Sequence, residues 1–130
     1  MTRVVERFGS RLTVTLVDSI TETTTEDAGR VVVSGSHGGA SAAHYALQIA
    51  ASLYVFNDAG IGKDSAGIAA LDLLAAADIA ACTVSHQSAR IGEAADALAN
   101  GVVSALNDPA RRMGLTPGTR LLAFLEARDG

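Results

Sequence analysis

Two of the three histidines and the only lysine of this 130-residue chain fall in three short stretches. Residues 34–39 hold His37 among Gly35, Ser36, Gly38 and Gly39. Residues 57–64 hold Asn57, Asp58 and Lys63, and residues 85–92 hold His86, Ser88 and Arg90. Imidazole exchanges protons near neutral pH, so His37 and His86 are the candidate acid/base groups. Asp58 is placed to orient one of them or to activate water. Glycine lets the backbone turn tightly, so amides at Gly35, Gly38 and Gly39 ahead of a helix suit a phosphate, carboxylate or oxyanion. Lys63 and Arg90 would add positive charge, and Ser36, Asn57 and Ser88 hydrogen-bonding groups, for the same anion.

These stretches matter only if the fold brings them together, and the pattern around them predicts that it does. Residues 31–33, 53–56 and 79–84 are short apolar runs that read as buried strands. Each runs into one of the three stretches and then into a helical pattern, over 40–52, 65–77 and 93–106. Three strand–loop–helix units in a row predict parallel strands with helical crossovers. Crossovers of one hand place the three loops at one sheet edge, where open α/β sheets bind ligands. Residues 11–18 alternate apolar with β-branched polar residues and read as a further strand, with 3–8 as a short partner turned by Gly9 and Ser10. Residues 21–29 read as a polar loop, with a helical turn at Glu26-Asp27-Ala28 as an option. Gly101 is expected as a close-packing point inside the last long helix. Asp108 is expected to cap a short helix with Pro109 at its first position. Residues 119–127 read as a closing strand, with a short helix as the alternative. The expected architecture is a small, open, mostly parallel α/β sheet. Helices cover both faces, antiparallel strands occupy one or both edges, and one domain spans residues 1–130.

Composition closes several other routes. Hydrophobic residues make up 48% and charged residues 18%, which excludes a disordered chain. A net charge of -4 disfavours nucleic-acid binding, which needs clustered Lys and Arg. The single cysteine, Cys82, excludes an internal disulfide framework and reads as a buried structural thiol. The start of the chain has no apolar signal segment, and Asp72 and Asp78 interrupt the longest apolar region, so no membrane partner is expected. A cytoplasmic protein is the simplest reading. Alanine-rich, thin helices favour a homo-oligomer that covers their outer faces.

Three motif fragments stop short of a family. Gly62-Lys63 resembles a P-loop, but Asn57 stands where its first glycine belongs and Asp64 where its Ser or Thr belongs. Asp64 reads instead as a helix N-cap. His37-Gly38-Gly39 with Ser65 resembles parts of lipase-like α/β-hydrolases, but Lys63 replaces the first glycine of the nucleophile turn. His37-Gly38 and Ala81-Cys82 resemble the spacing of caspase-like peptidases, yet an extra strand lies between them and Cys82 sits within a strand.

The sequence therefore predicts a small-molecule enzyme that applies acid/base chemistry to a small anionic metabolite. Hydrolysis is favoured over lyase or isomerase chemistry. His37, Asp58 and His86 are the expected catalytic residues. Gly35, Ser36, Gly38, Gly39, Asn57, Lys63, Ser88 and Arg90 are expected to bind substrate. No cofactor is called for, although His37, Asp58 and His86 could supply a two-histidine, one-carboxylate set for a divalent metal. The alternative is a non-catalytic anion-binding or interaction subunit of a larger assembly.

Overall fold

The computed structural model describes residues 3–129; Met1, Thr2 and Gly130, and with them the first residues of the segment read as lacking a signal, lie outside the described residues. Six strands, β1 (Arg3–Phe8), β2 (Leu12–Val17), β3 (Val31–His37), β4 (Leu53–Asn57), β5 (Ala81–Val84) and β6 (Val103–Leu106), form one sheet in sequential order. β2 to β5 are parallel, and β1 and β6 are antiparallel edge strands. Five helices accompany them: α1 (Ala40–Ala46), α2 (Ala69–Ala75), α3 (Ala94–Asn100), α4 (Asp108–Arg112) and α5 (Leu121–Asp129). The expected open α/β sheet with helices on both faces is present.

Period-two alternation divides the core between those faces. Val17, Val32, Tyr54, Phe56 and Ala81 pack beneath α1 and α2. Val14, Val31, Val33, Leu53, Val55 and Cys82 pack beneath α3, α4 and α5. Each crossover from β2 to β5 moves one strand along the sheet. The segments that make them lie on the α1/α2 side, including Ile20 in the β2–β3 connection. After β5 the chain departs to the opposite face. Neighbouring strands β4 and β5 therefore send their following helices to opposite sides. That divergence opens a crevice at their carboxyl ends.

The residues read as a polar loop do more than connect. Ser19 and Glu22 form one capping box and Thr24 and Asp27 another, each starting a 3₁₀ turn. The Asp27 side chain is 0% exposed. It accepts two hydrogen bonds from the Arg3 guanidinium (2.8 and 2.9 Å), one from Thr15 Oγ1 (2.8 Å) and one from the Thr24 amide (2.9 Å). Burial alone would raise its pKa. The hydrogen bonds from Arg3, the Thr24 amide and the Thr15 hydroxyl outweigh that and hold it below the ordinary carboxylate value. This buried ion ties edge strand β1 to the rest of the sheet. It also adds to the burial that pushes Tyr54, on β4, up to about 12.

Several expected boundaries move, each for a tertiary reason. β3 continues to His37 because Gly35 passes directly under the β5–α3 loop; a Cβ there would lie 2.6 Å from the carbonyl carbon of Gly92. α1 stops at Ala46, well short of residue 52. α2 begins at Ala69, with an irregular 3₁₀ segment, Lys63–Ile68, before it. Asp64 has φ 57° and does not cap it. The long helix expected over 93–106 is two elements. α3 ends where Gly101 turns extended, and β6 then pairs with β5. Gly101 is the close-packing point expected, 2.3 Å from the Ala97 carbonyl oxygen at its missing Cβ, but it lies outside the helix. The segment expected as a closing strand is helix α5, whose Leu121 and Leu125 recur at i, i+4 and are both buried. The outer edge of β6 is already covered by the turn that precedes α5, where Val103 N donates to Thr119 O (2.8 Å).

The cap of α4 is Asn107, not Asp108. Its Oδ1 accepts from the amides of Ala81 (3.0 Å) and Ala110 (3.1 Å), and its Nδ2 donates to the carbonyls of Ile79 (2.9 Å) and Leu71 (3.1 Å). One side chain thus joins α2, the start of β5 and α4.

Asp27→Asn leaves the Arg3 guanidinium without its counter-charge, and it should lower stability at pH 7 by about 3 kcal/mol in urea unfolding. A depressed carboxylate pKa stabilises the fold above the unfolded-state value near 4 and loses that contribution as pH falls through the folded value. The wild type should therefore lose stability steeply below about pH 4, and the variant less steeply.

Candidate functional site

Asp58 and His86 meet in the crevice between β4 and β5. Asp58 directly follows β4 and is nearly buried, its side chain 6% exposed. Its Oδ1 accepts from the amides of Gly60 (2.8 Å) and His86 (3.0 Å). The His86 ring turns Nδ1 to within 3.4 Å of the same oxygen while remaining 51% exposed. Desolvation pushes the Asp58 pKa up. The Ser104 hydroxyl, the Gly60 and His86 amides and the imidazole more than offset that, leaving it below the ordinary carboxylate value. Asp58 is thus a fixed anion beside the half-exposed imidazole, its oxygen beyond hydrogen-bond length of the ring nitrogen.

The ring overlies Gly60, where a Cβ would come within 3.4 Å of Cε1. It opens on a hollow of about 530 Å³ lined by Ala59, His86, Arg90, Ile91 and Glu93. That volume falls in the range of small-molecule sites. Arg90 is 82% exposed and lies 3.8 Å from Glu93 Oε2, too far for a hydrogen bond.

The remaining expected site residues do not converge there. His37 ends β3 and lines a separate hollow of about 190 Å³ beside α1, with Ser19, Ile20, Ser36, Ser41 and Tyr45. It does not meet His86 and Asp58. Among the described residues no group of three His, Cys, Asp or Glu side chains could hold a metal ion. The glycine cradle serves packing instead. Gly35 O accepts from Gly92 N (2.7 Å). Gly38 N donates to Asn57 O (3.0 Å), and a Cβ on Gly38 would fall 2.8 Å from Gly67 O. Gly39 precedes α1 against the His37 ring. Ser36 Oγ accepts from Ile20 N (2.9 Å), which fixes the first 3₁₀ turn. Asn57 is buried and fully engaged: Nδ2 donates to Ala89 O (2.9 Å) and Oδ1 accepts from Ala59 N (2.8 Å). Ser88 Oγ donates to Ser85 O (2.7 Å) and accepts from Val102 N (2.9 Å). Lys63 is exposed and does not line the His86 hollow. Neither nucleophile raised by the motif fragments lines the His86 hollow: Cys82 is buried with its thiol pushed up to about 12 by desolvation, and Ser65 is exposed in a left-handed turn outside it.

Backbone strain is concentrated between Asp58 and α2. Ala59 (φ 51°), Ile61 (68°), Asp64 (57°) and Ser65 (58°) are all left-handed, alongside Gly60 and Gly62. Such a conformation costs a side-chain-bearing residue roughly 1–2 kcal/mol, and it is least tolerable for β-branched Ile61. Ile61 N donates to Asp58 O (2.6 Å) and Gly67 N to Ile61 O (2.7 Å), which close the loop on itself. The sequence signal for Gly67 is only its glycine, yet a Cβ there would lie 1.9 Å from the Asp58 carbonyl oxygen.

No protein-family profile, characterised protein or solved structure matches the chain. The site rests on its geometry alone.

Ile61→Gly should raise stability by about 0.5–1 kcal/mol and Ser65→Gly by about 0.5 kcal/mol, because each releases left-handed strain. Gly67→Ala should lower it, because the Asp58 carbonyl has to move. Thermal unfolding of the three variants checks the sign in each case.

Proposed function

We propose that the chain is a small-molecule enzyme in which His86 acts as the general acid/base and Asp58 as its orienting anion. The substrate class is a small anionic metabolite, with hydrolysis favoured over lyase or isomerase chemistry. The observation that carries this reading is the shared Asp58 oxygen. It accepts a hydrogen bond from the His86 amide and lies 3.4 Å from Nδ1, while the ring faces an open hollow. With the Asp58 carboxylate 3.4 Å from Nδ1 favouring the proton on that nitrogen, the neutral ring presents Nε2 as a proton acceptor. In a hydrolysis Nε2 takes a proton from water as its oxygen attacks an electrophilic carbonyl or phosphoryl group. Asp58 stabilises the resulting imidazolium, which returns the proton to the leaving group. Water is the nucleophile because Ser88 is committed to the backbone and Cys82 is buried. Arg90 supplies the anion contact. The same base withdrawing a proton from carbon would serve a lyase or isomerase. In keeping with a lone buried thiol, we place the protein in the cytoplasm.

A second reading, an interaction subunit without catalysis, draws on Tyr45, Leu47 and Leu73. These are large apolar side chains left exposed on or beside the neighbouring helices α1 and α2. A homo-oligomer would cover them.

Turnover of a panel of small carboxylate-bearing esters and amides and of phosphomonoesters separates the two. His86→Gln should lower kcat/KM by about 10²–10⁴-fold with the melting temperature unchanged. Equal turnover by wild type and His86→Gln on every compound would sink the catalytic reading.

A further inference from the structure

The hollow beside His86 is not built for a purely anionic ligand. Gly35 and Gly38 are consumed by packing, and Lys63 lies elsewhere. What remains around the imidazole is one cation, Arg90, one anion, Glu93, and an apolar wall of Ala59 and Ile91. Buried Asp58 adds a second negative charge behind the ring. A site for an anion alone would gain nothing from a carboxylate on its rim, where like charge repels the ligand.

Arg90 and Glu93 lie 3.8 Å apart, both well exposed. An exposed pair at that distance is worth little to stability. It leaves the guanidinium donors and the carboxylate oxygens open to a ligand. Two opposite charges held that close match a molecule whose own opposite charges are close. The compact form of that pattern is an ammonium and a carboxylate on one carbon. Ile91, itself exposed, offers an apolar surface beside them.

We propose that the hollow binds a zwitterionic ligand of the α-amino-acid class. Its carboxylate pairs with Arg90, its ammonium with Glu93, and an aliphatic side chain packs on Ile91. The inference rests on the reading of His86 as an acid/base group and narrows that reading from anionic to zwitterionic substrates.

The test titrates the protein with three matched probes and follows the His86 Cε1–H resonance, assigned by its loss in His86→Gln. Valine carries both charges, 3-methylbutanoate lacks only the ammonium, and isobutylamine lacks only the carboxylate. Valine should shift the resonance at a Kd at least about tenfold below either of the others. Glu93→Gln should bring valine level with 3-methylbutanoate, and Arg90→Gln should bring it level with isobutylamine. If 3-methylbutanoate binds as tightly as valine, the zwitterion proposal is overturned and the anionic reading stands. Isobutylamine binding as tightly as valine overturns the proposal and the anionic reading with it, leaving the acid/base role of His86 to the turnover test. If no probe moves His86, the hollow is not a ligand site, and the small-molecule reading falls with the proposal.

Discussion

The carboxyl end of the sheet is organised by one carboxylate oxygen. Asp58 Oδ1 gathers the Gly60 amide, the His86 amide and the His86 ring. A nearly buried anion must find partners, and these are drawn from both strands of the crevice. The same oxygen therefore fixes the turn after β4 and the start of the loop after β5, and sets a negative charge beside the imidazole. The strained residues 59–65 can persist because Asp58 anchors one end of the loop and the Gly67 contact anchors the other.

Topology decides why this oxygen lies where a ligand could reach it. Sequential parallel strands with all crossovers on one face leave no gap between their loops. A gap opens only where the chain changes face, and here that is between β4 and β5. His37 is one strand too early. Its strand and the next both lead to the α1/α2 side, so its ring lies against α1, away from His86. Asp18 completes the arrangement from a distance. Its Oδ1 caps the Ala94 amide (3.0 Å), which seats the start of α3 on the carboxyl end of β2.

The sheet was legible in the sequence because buried strands advertise themselves. Val31 to Val33 and Leu53 to Phe56 are apolar and β-branched or aromatic, with glycine-rich punctuation. β6 was not legible. Its Ala and Leu continue the helical pattern of α3, and only pairing with β5 makes it a strand. The apolar run in α5 suits either period, and the covered edge of β6 decides it. Half of the candidate site was readable from residue type: His86, Asp58 and Arg90 are chemically distinctive and fall in the segments after β4 and β5. The glycines misled, because a missing side chain signals a close approach without saying whether a ligand or the protein's own backbone approaches. Asp27 escaped as one acid in a polar stretch, although the Thr24–Asp27 and Ser19–Glu22 spacings are capping signals that sequence can carry.

Sequential strand order has a consequence for how the chain is made. Each strand from β2 to β6 pairs with the one just before it, so the sheet can grow at one edge as the polypeptide emerges from a ribosome. Two helices break that order: α3 returns to β2 and β3, and α5 returns to β1, β2 and α3. Until Leu121 and Leu125 arrive, the apolar side chains of Val14 and Leu16 lack part of their cover. Among the described elements α5 is the last to be made, and it completes the apolar cover on this face of the sheet.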